Sequence, residues 1–519
     1  MTEVLEPPAR LGRLSRLMQT ERFRWLLTAM LLAMLAAVRA AMPTERDQYW
    51  SARAGIESLD GMPLARPDTW SWSTEGTWFP NSPAWNIVLG LGWQALGFWG
   101  LFLVALVSMA LLFGLTMLAA RLAGARALPT LLVFVPILLA ASSALSARAT
   151  VVVQAFVLGA VLFVWWWGGI AGRLNVIVAT ATVGVVGLVI SLLGNWVHLS
   201  FMLMAAVIAV MWAVVWWASP GMGLRRRLLL TGSGTLGLLL GCLASPYGVA
   251  LTMERARLVS EICQGLIIEW TSVWEAAALG ELRWIPVSVV AVFVALASGV
   301  WVVRLYRRHG RFDPRMRLVA PLAVFAVPAT IMGLGSIRFL VLGMLVILPV
   351  AAAAATRFVD VVHERQREGG ALSRPKLVEY TSGRFWVTVL TGIAIVLTPV
   401  ATITTTMGAR PPESVLSEML PEGCTLFSDA ASAGTVILTR PDVAVWIDGR
   451  ADFYGRQHLI EATRIYTAMT PVPARADCVL LPIRGGMGIS ALPLSQSLDR
   501  NPEWDRRATL GAYALWVRR

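Results

Sequence analysis

The chain is 519 residues long, 57% hydrophobic and only 14% charged, with 44 Lys plus Arg against 31 Asp plus Glu and a formal net charge of +13. Its mean hydropathy of +0.66 excludes an ordinary soluble globular protein and points to a polytopic membrane protein. The positive balance does not indicate nucleic-acid binding: the basic residues, nearly all Arg with Lys376 the single Lys, fall in short turns between apolar runs and form no contiguous face.

The apolar runs are each long enough to cross roughly 30 Å of hydrocarbon. They predict spans near 24–41, 95–119, 127–145, 149–167, 175–193, 199–217, 227–244, 285–305, 317–334, 338–356 and 384–406. Basic residues precede the first run, as in a signal peptide, but no small-residue cleavage site stands out, so it reads as a retained anchor. Eleven spans put every strongly basic turn on one side: Arg121 and Arg126, Arg173, Arg225 to Arg227, Arg307 to Arg317, and Arg365 to Lys376. The positive-inside bias then makes that side, with the N-terminus, cytoplasmic. The layout expected is a cytoplasmic tail at 1–23, a transmembrane domain at 24–406 with outer loops 42–94 and 246–283, and an extracytoplasmic α/β domain at 407–519. The preference for Arg, Ala and Val over Lys suits a GC-rich bacterial genome and hence a bacterial inner membrane.

The first outer loop, 47–86, gathers Trp50, Trp70, Trp72, Trp78 and Trp85 among acids, Gly and Pro. A membrane-protein loop has no evident folding reason for such a collection, whereas an aromatic-lined cavity for a polar substrate does. Asp47 lies just past the first span, where partial desolvation raises a carboxylate pKa toward that of a general base. The plainer alternative is a helix-end carboxylate in solvent. Asp68, in RPDTW, reads as a further acid or as a turn residue. Residues 85–97 have the pattern of a short interfacial helix leading to the second span.

Arg148 stands alone between two apolar runs on the outer side, against the topology bias, and an anion such as a lipid phosphate is its natural partner; the alternative is a snorkelling interface residue. Asn195 and His198, in GNWVHLSF, share a helix face; His198 could relay a proton or bind a sugar hydroxyl, or both could simply cap a helix. The loop at 246–283 opens with SPYG, containing Tyr247, and carries Glu269 and Trp270 in an amphipathic stretch along the outer interface. Arg338, in GSIRFL, repeats the situation of Arg148, and the two look like a phosphate clamp.

From residue 407 the composition becomes that of a soluble domain. CTLFSD, VAVWID and DCVLLP read as buried strands with helices at 430–438 and 456–469 between them, which predicts a parallel α/β sheet. Asp448, Arg450 and Asp452 follow the second strand, where such sheets place ligands, although opposite charges there could equally brace the domain. Cys424 and Cys478 are candidates for a bridge in an oxidising compartment. No CxxC, P-loop or zinc-spaced cluster is present.

Taken together, Asp47–Trp50 with Ala54 and Gly55, RPDTWSW (66–72), Gly76, Trp78, Trp85, Arg148, Asn195 with His198, SPYG (245–248), IIEW (267–270), SIRF (336–339), FSDAASAG (427–434) and DGRADFYG (448–455) resemble a family of bacterial integral-membrane proteins related to GT-C glycosyltransferases. The resemblance implies an α-helical GT-C-like membrane fold and the use of polyprenyl-phosphate sugars on the outer face. Many GT-C enzymes carry an acidic pair in the first loop. Here Gln48 follows Asp47, which leaves the second acid open between Asp68 and Glu75. The expectation is a glycosyltransferase in which Asp47 is the base, Arg148 and Arg338 hold the donor phosphate, and the loop tryptophans stack on sugar rings. A divalent metal is neither implied nor required; the acceptor is an envelope glycan, lipid or protein. A transporter or flippase of a lipid-linked glycan, or a non-catalytic scaffold binding glycolipid, are the competing expectations; the near-absence of Asp, Glu and Lys within the spans weighs against an ion-coupled carrier.

Overall fold

The computed structural model describes residues 20–41, 46–141, 145–367, 410–483 and 493–519. Seven helices among them are long and apolar enough to cross a membrane: Glu21–Ala41, Phe98–Leu122, Ala149–Ile170, Val176–Val197, Phe201–Ala218, Trp284–His309 and the one beginning at Ile337. Leu224–Leu243 and Gly248–Cys263, bent by 80° at the SPYG break, make an eighth when taken as one span. Ala127–Ala140 and Met316–Met332 are apolar but shorter, at 14 and 17 residues. Ten of the eleven expected runs are thus helical, not all of them full spans, and the run at 384–406 lies outside the described residues. Helix is the only open-chain way to satisfy every backbone amide in hydrocarbon. Large apolar side chains such as Val107, Ile177 and Phe293 point outward, as lipid-facing surface requires. The chain is a multi-pass membrane protein.

The basic turns meet at one end of the bundle. Arg126 pairs with Asp360. Arg226 donates to the carbonyls of Ala171 and Leu174, and Arg227 to that of Ser219 at 2.8 Å. Arg311 lies over Trp217 and Phe312. The opposite end holds Asp47, Arg148, His198, Glu269, Arg338 and the C-terminal sheet. The alternation of basic and site-bearing turns therefore holds across the described helices.

Strands β1 (Arg66–Pro67) and β2 (Thr77–Trp78) pair within the first loop, and the C-terminal sheet has five strands, β3 (Thr425–Ser428), β4 (Ala444–Val445), β5 (Cys478–Pro482), β6 (Trp504–Leu510) and β7 (Tyr513–Arg518), in the order β4-β3-β5-β7-β6. Strands β3 (Thr425–Ser428), β4 (Ala444–Val445) and β5 (Cys478–Pro482) are parallel, as expected, with helices Ala430–Thr439 and Ala451–Tyr466 in the connections. The sequence reading missed the antiparallel hairpin β6 (Trp504–Leu510) and β7 (Tyr513–Arg518), turned at Gly511 with φ of 59°. The sheet is accordingly mixed rather than all parallel. Cys424 and Cys478 form a disulfide between the β3 and β5 segments.

The sheet does not stop at its own strands. Residues 70–72 of the first loop lie along the β4 edge, Val445 donating to the Trp70 carbonyl (2.8 Å) and Trp72 to the Val445 carbonyl (3.0 Å). Trp50, Ala54, Trp70 and Trp78 share one apolar core with Leu426, Val436, Val445 and Leu515. Helix Asp47–Leu59 is therefore held between the membrane part, through helix Pro83–Leu96, and the C-terminal sheet, through helix Ala430–Thr439. The expected interfacial helix at 85–97 is Pro83–Leu96.

Candidate active site

Five segments far apart in sequence bring charged or polar side chains together at the sheet-bearing end of the bundle. Asp47 is the first residue of its helix, Arg148 immediately precedes helix Ala149–Ile170, and Arg338 is the second residue of helix Ile337–Arg367. His198 follows helix Val176–Val197, and Glu269 sits in a 3-10 turn, Ile268–Trp270. That turn is tied to the start of the Arg338 helix by Ile337 donating to the Thr271 carbonyl (3.1 Å) and Val273 to that of Leu334 (3.1 Å).

Arg148 bridges two carboxylates from different loops: Nη1 is 3.0 Å from Glu269 Oε2 and Nη2 is 3.5 Å from Asp47 Oδ2. The Trp50 indole donates to Asp47 Oδ1 at 3.2 Å. The Arg338 guanidinium lies 4.6 Å from the Trp270 ring centre and acts electrostatically on Glu269 and His198. These side chains keep contact with solvent, at 36% exposure for Asp47, 29% for Glu269 and 20% for Arg148, while protein closes around them. They are partly open to solvent rather than sealed in a core.

Burial raises the Asp47 carboxyl above its ordinary pKa, against the pull of Arg148 and the Trp50 N–H. Burial pushes Glu269 the same way, but Arg148 and Arg338 outweigh it and hold that carboxyl below its ordinary value. The two acids are thereby pushed in opposite directions around Arg148, Asp47 upward and Glu269 downward. His198 is driven down to about 3 by burial, then by Arg338 and Arg148. That shift keeps the imidazole neutral at physiological pH. Its Nδ1 accepts the Ser200 N–H (3.1 Å), which leaves the proton on Nε2 as a hydrogen-bond donor. Arg148 and Arg338 both stand at helix N-termini, where a cation opposes the helix dipole. Local stability favours an acid at such positions, so two arginines there run against the helices' own preference.

Several side chains read from sequence as site residues lie elsewhere. Trp50, Trp70 and Trp78 are 3–7% exposed, with Trp50 edge to face on Trp78 (5.6 Å) and Trp70 tilted against it (5.4 Å), in the core shared with the C-terminal sheet. Trp72 is spent on the Leu426 carbonyl (3.1 Å). The buried rings of Trp50, Trp70 and Trp78 offer no face to a sugar, and filling the seam between loop and sheet is the folding reason that the sequence concealed; the Trp50 N–H still reaches the charged cluster through Asp47, and Trp270 borders it against Arg338. Asp68 and Asp448 clasp Arg450 with all three side chains at most 1% exposed. Asp68 is therefore a structural anion, not a second reacting acid, and Asp448 and Arg450 brace the sheet instead of binding substrate. Glu75 is exposed. The acid that shares Arg148 with Asp47 is Glu269, from the other outer loop. Asn195 is fully buried, its amide donating to the Ser191 carbonyl (2.7 Å) against Cys242 in the packed helix pair. The Tyr247 hydroxyl donates to the Pro80 carbonyl (2.8 Å) and joins the two outer loops. Asp452 lies at the seam near Arg255, its carboxyl raised to about 6 by burial.

Sequence reasoning missed Gly449. A Cβ there would lie 2.5 Å from Asp47 Oδ1 and 2.8 Å from Trp50 Nε1. It also missed Glu57, which accepts from the Trp70 indole (2.9 Å) and pairs with Arg66 (3.2 Å) behind the helix. No local pattern marks either residue, because each partner comes from a distant segment. Among the described residues no group of three His, Cys, Asp or Glu side chains is placed to hold a metal ion.

No protein-family model matches the chain, and no curated protein matches it. Solved structures do. ArnT from Cupriavidus metallidurans in the apo state superposes with a TM-score of 0.51 at 13% identity, over 96% of this chain and 98% of that one. The same protein bound to undecaprenyl phosphate gives 0.48 at 14% identity, over 94% and 97%. The Archaeoglobus fulgidus oligosaccharyltransferase tethered with an acceptor peptide gives 0.46 at 12% identity, over 88% and 69%. The apo ArnT match, nearly end to end in both chains, shows that this chain has that fold, and the GT-C-like architecture expected from the resemblance is the one found.

Proposed function

We propose that a chain with the ArnT fold and this open charged cluster is a membrane glycosyltransferase, moving a sugar from a polyprenyl-phosphate donor to an envelope glycan, lipid or protein acceptor on the outer face. The observation that carries the reading is the convergence of Asp47, Arg148, Glu269, Arg338 and His198 from five segments. Two arginines at helix N-termini suit a leaving phosphate, and the Nε2–H of His198 suits a phosphate or sugar oxygen. Asp47 takes the proton of the acceptor hydroxyl. The acceptor oxygen bonds to the anomeric carbon, and the carbon–oxygen bond to phosphate breaks with its electrons leaving on the polyprenyl phosphate. Entry of the donor phosphate draws Arg148 from Asp47. Since Arg148 lowers the Asp47 pKa, its withdrawal makes Asp47 a stronger base when the donor is present.

We place the site on the outer face because the basic turns gather at the other end and because the Cys424–Cys478 bridge suits an oxidising compartment. ArnT has been captured with undecaprenyl phosphate, which makes that lipid the natural probe. The test is sugar transfer by the purified chain in nanodiscs, offered polyprenyl-phosphate mannose, arabinose, glucose and galactose with crude envelope acceptor. Transfer or slow donor hydrolysis is expected from the wild type and a loss of about 100-fold or more from Asp47→Asn. Consumption of no donor, with undecaprenyl phosphate bound equally by both proteins, would leave a glycolipid scaffold or transporter instead.

A further inference from the structure

We propose that the Asp448–Arg450 turn of the C-terminal sheet is a positioning element for the Asp47 carboxylate, with Gly449 as the residue that sets it. This deepens the reading above and rests on it for its catalytic consequence, though not for its geometry.

Asp47 is gripped from two sides. Arg148 approaches Oδ2, while Trp50 and the Gly449 backbone approach Oδ1. Gly449 is not among the glycines with positive φ, so an alanine could adopt its backbone. The glycine answers to space alone: a methyl group there would sit against the Asp47 carboxylate oxygen and the Trp50 nitrogen.

The turn that carries Gly449 is itself densely hydrogen-bonded. Asp448 accepts from the Arg450 backbone N–H (2.8 Å), from its Nε (2.9 Å) and Nη2 (2.7 Å), and from the Tyr454 hydroxyl (2.9 Å). Arg450 reaches on to Asp68 at 2.5 Å and lies 4.4 Å from Trp70 and 4.7 Å from Phe453. A rigid wall therefore meets the flexible end of a short side chain. Where the two collide, the easiest relief is rotation of Asp47, so a substitution at Gly449 acts on the carboxylate before it acts on the fold. The aromatic first loop, the arginine cage and the sheet edge together bring one Cα to the place where the carboxylate needs a wall.

The test uses the full chain in nanodiscs. Difference infrared titration of wild type against Asp47→Asn isolates the Asp47 carboxyl band, and the same titration is run on Gly449→Ala and Trp50→Phe. In Gly449→Ala the midpoint is expected to move by roughly half a pH unit or more. In Trp50→Phe it is expected to rise, because the lost indole N–H favours the ionised form. Undecaprenyl phosphate binding and the unfolding temperature should stay near wild type, while sugar transfer falls about tenfold or more in kcat with little change in KM. An unmoved midpoint in Gly449→Ala overturns the proposal, and if Gly449→Ala does not fold, the double variant with Trp50→Phe, which removes the Nε1 that the methyl would meet, is compared with Trp50→Phe alone, an equal midpoint again overturning it. A moved midpoint with transfer unaffected even in Asp47→Asn keeps the positioning and removes the glycosyltransferase reading. Transfer lost in Asp47→Asn but intact in Gly449→Ala and Trp50→Phe keeps the enzyme and overturns the positioning.

Discussion

Gly449 lies between two charged clusters. On one side Arg450 is held by Asp68 and Asp448, closed over by Trp70, Trp78 and Phe453, and at most 1% exposed along with both carboxylates. On the other side Arg148 spans Asp47 and Glu269 with 20–36% of these side chains open to solvent. Both contain an arginine between two acids, so composition does not distinguish them. Satisfaction does: Arg450 reaches Asp68 as well as Asp448, and Asp448 also accepts from its own turn and from Tyr454, whereas the open group holds two acids pushed to different pKa values around one cation. A matched, sealed cluster holds a domain in place; an open, unevenly tuned one suits, on the reading proposed above, the exchange of a carboxylate for a phosphate.

The sharpest way to break this contrast is Arg450→Ala. It strands two buried carboxylates and opens the tryptophan cage, and removal of one partner from a buried pair costs about 3–5 kcal/mol. The expected outcome is loss of cooperative unfolding of the C-terminal sheet, or failure of the protein to accumulate, read by thermal unfolding in detergent. A variant of wild-type stability would mean that the sealed cluster braces nothing.

The open cluster should respond in binding rather than in folding. Arg148→Ala removes a charged donor, worth about 1.5–3 kcal/mol, so undecaprenyl phosphate affinity is expected to fall roughly 10- to 100-fold. Arg148→Lys should recover only part, because an ammonium cannot fork between two oxygens. Unchanged affinity in both, with unfolding unchanged, would reduce Arg148 to an ordinary interfacial residue.

The sequence made the membrane fold, the basic end and the arginines Arg148 and Arg338 legible, since apolar run length and charge placement are local properties. Strands β3, β4 and β5 were legible for the same reason. The hairpin β6–β7 was missed although DRRATLGAYALWV alternates around a glycine. The tryptophans of the first loop were misassigned for a physical reason: a core formed between a loop and a sheet more than 300 residues later looks, in one dimension, like an exposed aromatic patch. Glu269 and Asp47 could not be paired from sequence, because only the fold brings the two outer loops to one arginine.

Asp452 gives the smallest and most selective test, because it lies four residues from Asp448 and belongs to neither cluster. Among the described residues it has no ion pair, and burial raises its carboxyl to about 6. An acid whose folded-state pKa exceeds its unfolded value stabilises the fold below the unfolded pKa, near 3.9, and loses that contribution as pH rises through about 6. Asp452→Asn removes the charge with little change of shape. Its stability relative to wild type should be higher at pH 7.5 and equal near pH 4, with a gain of about 1–2 kcal/mol once screening by nearby water is discounted. Thermal unfolding across that pH range reads the difference. A gain independent of pH would attribute it to packing, and a loss at pH 7.5 would mean that the ionised carboxylate has a partner in the folded protein and that the seam beside Asp448 is as well matched as the cage itself.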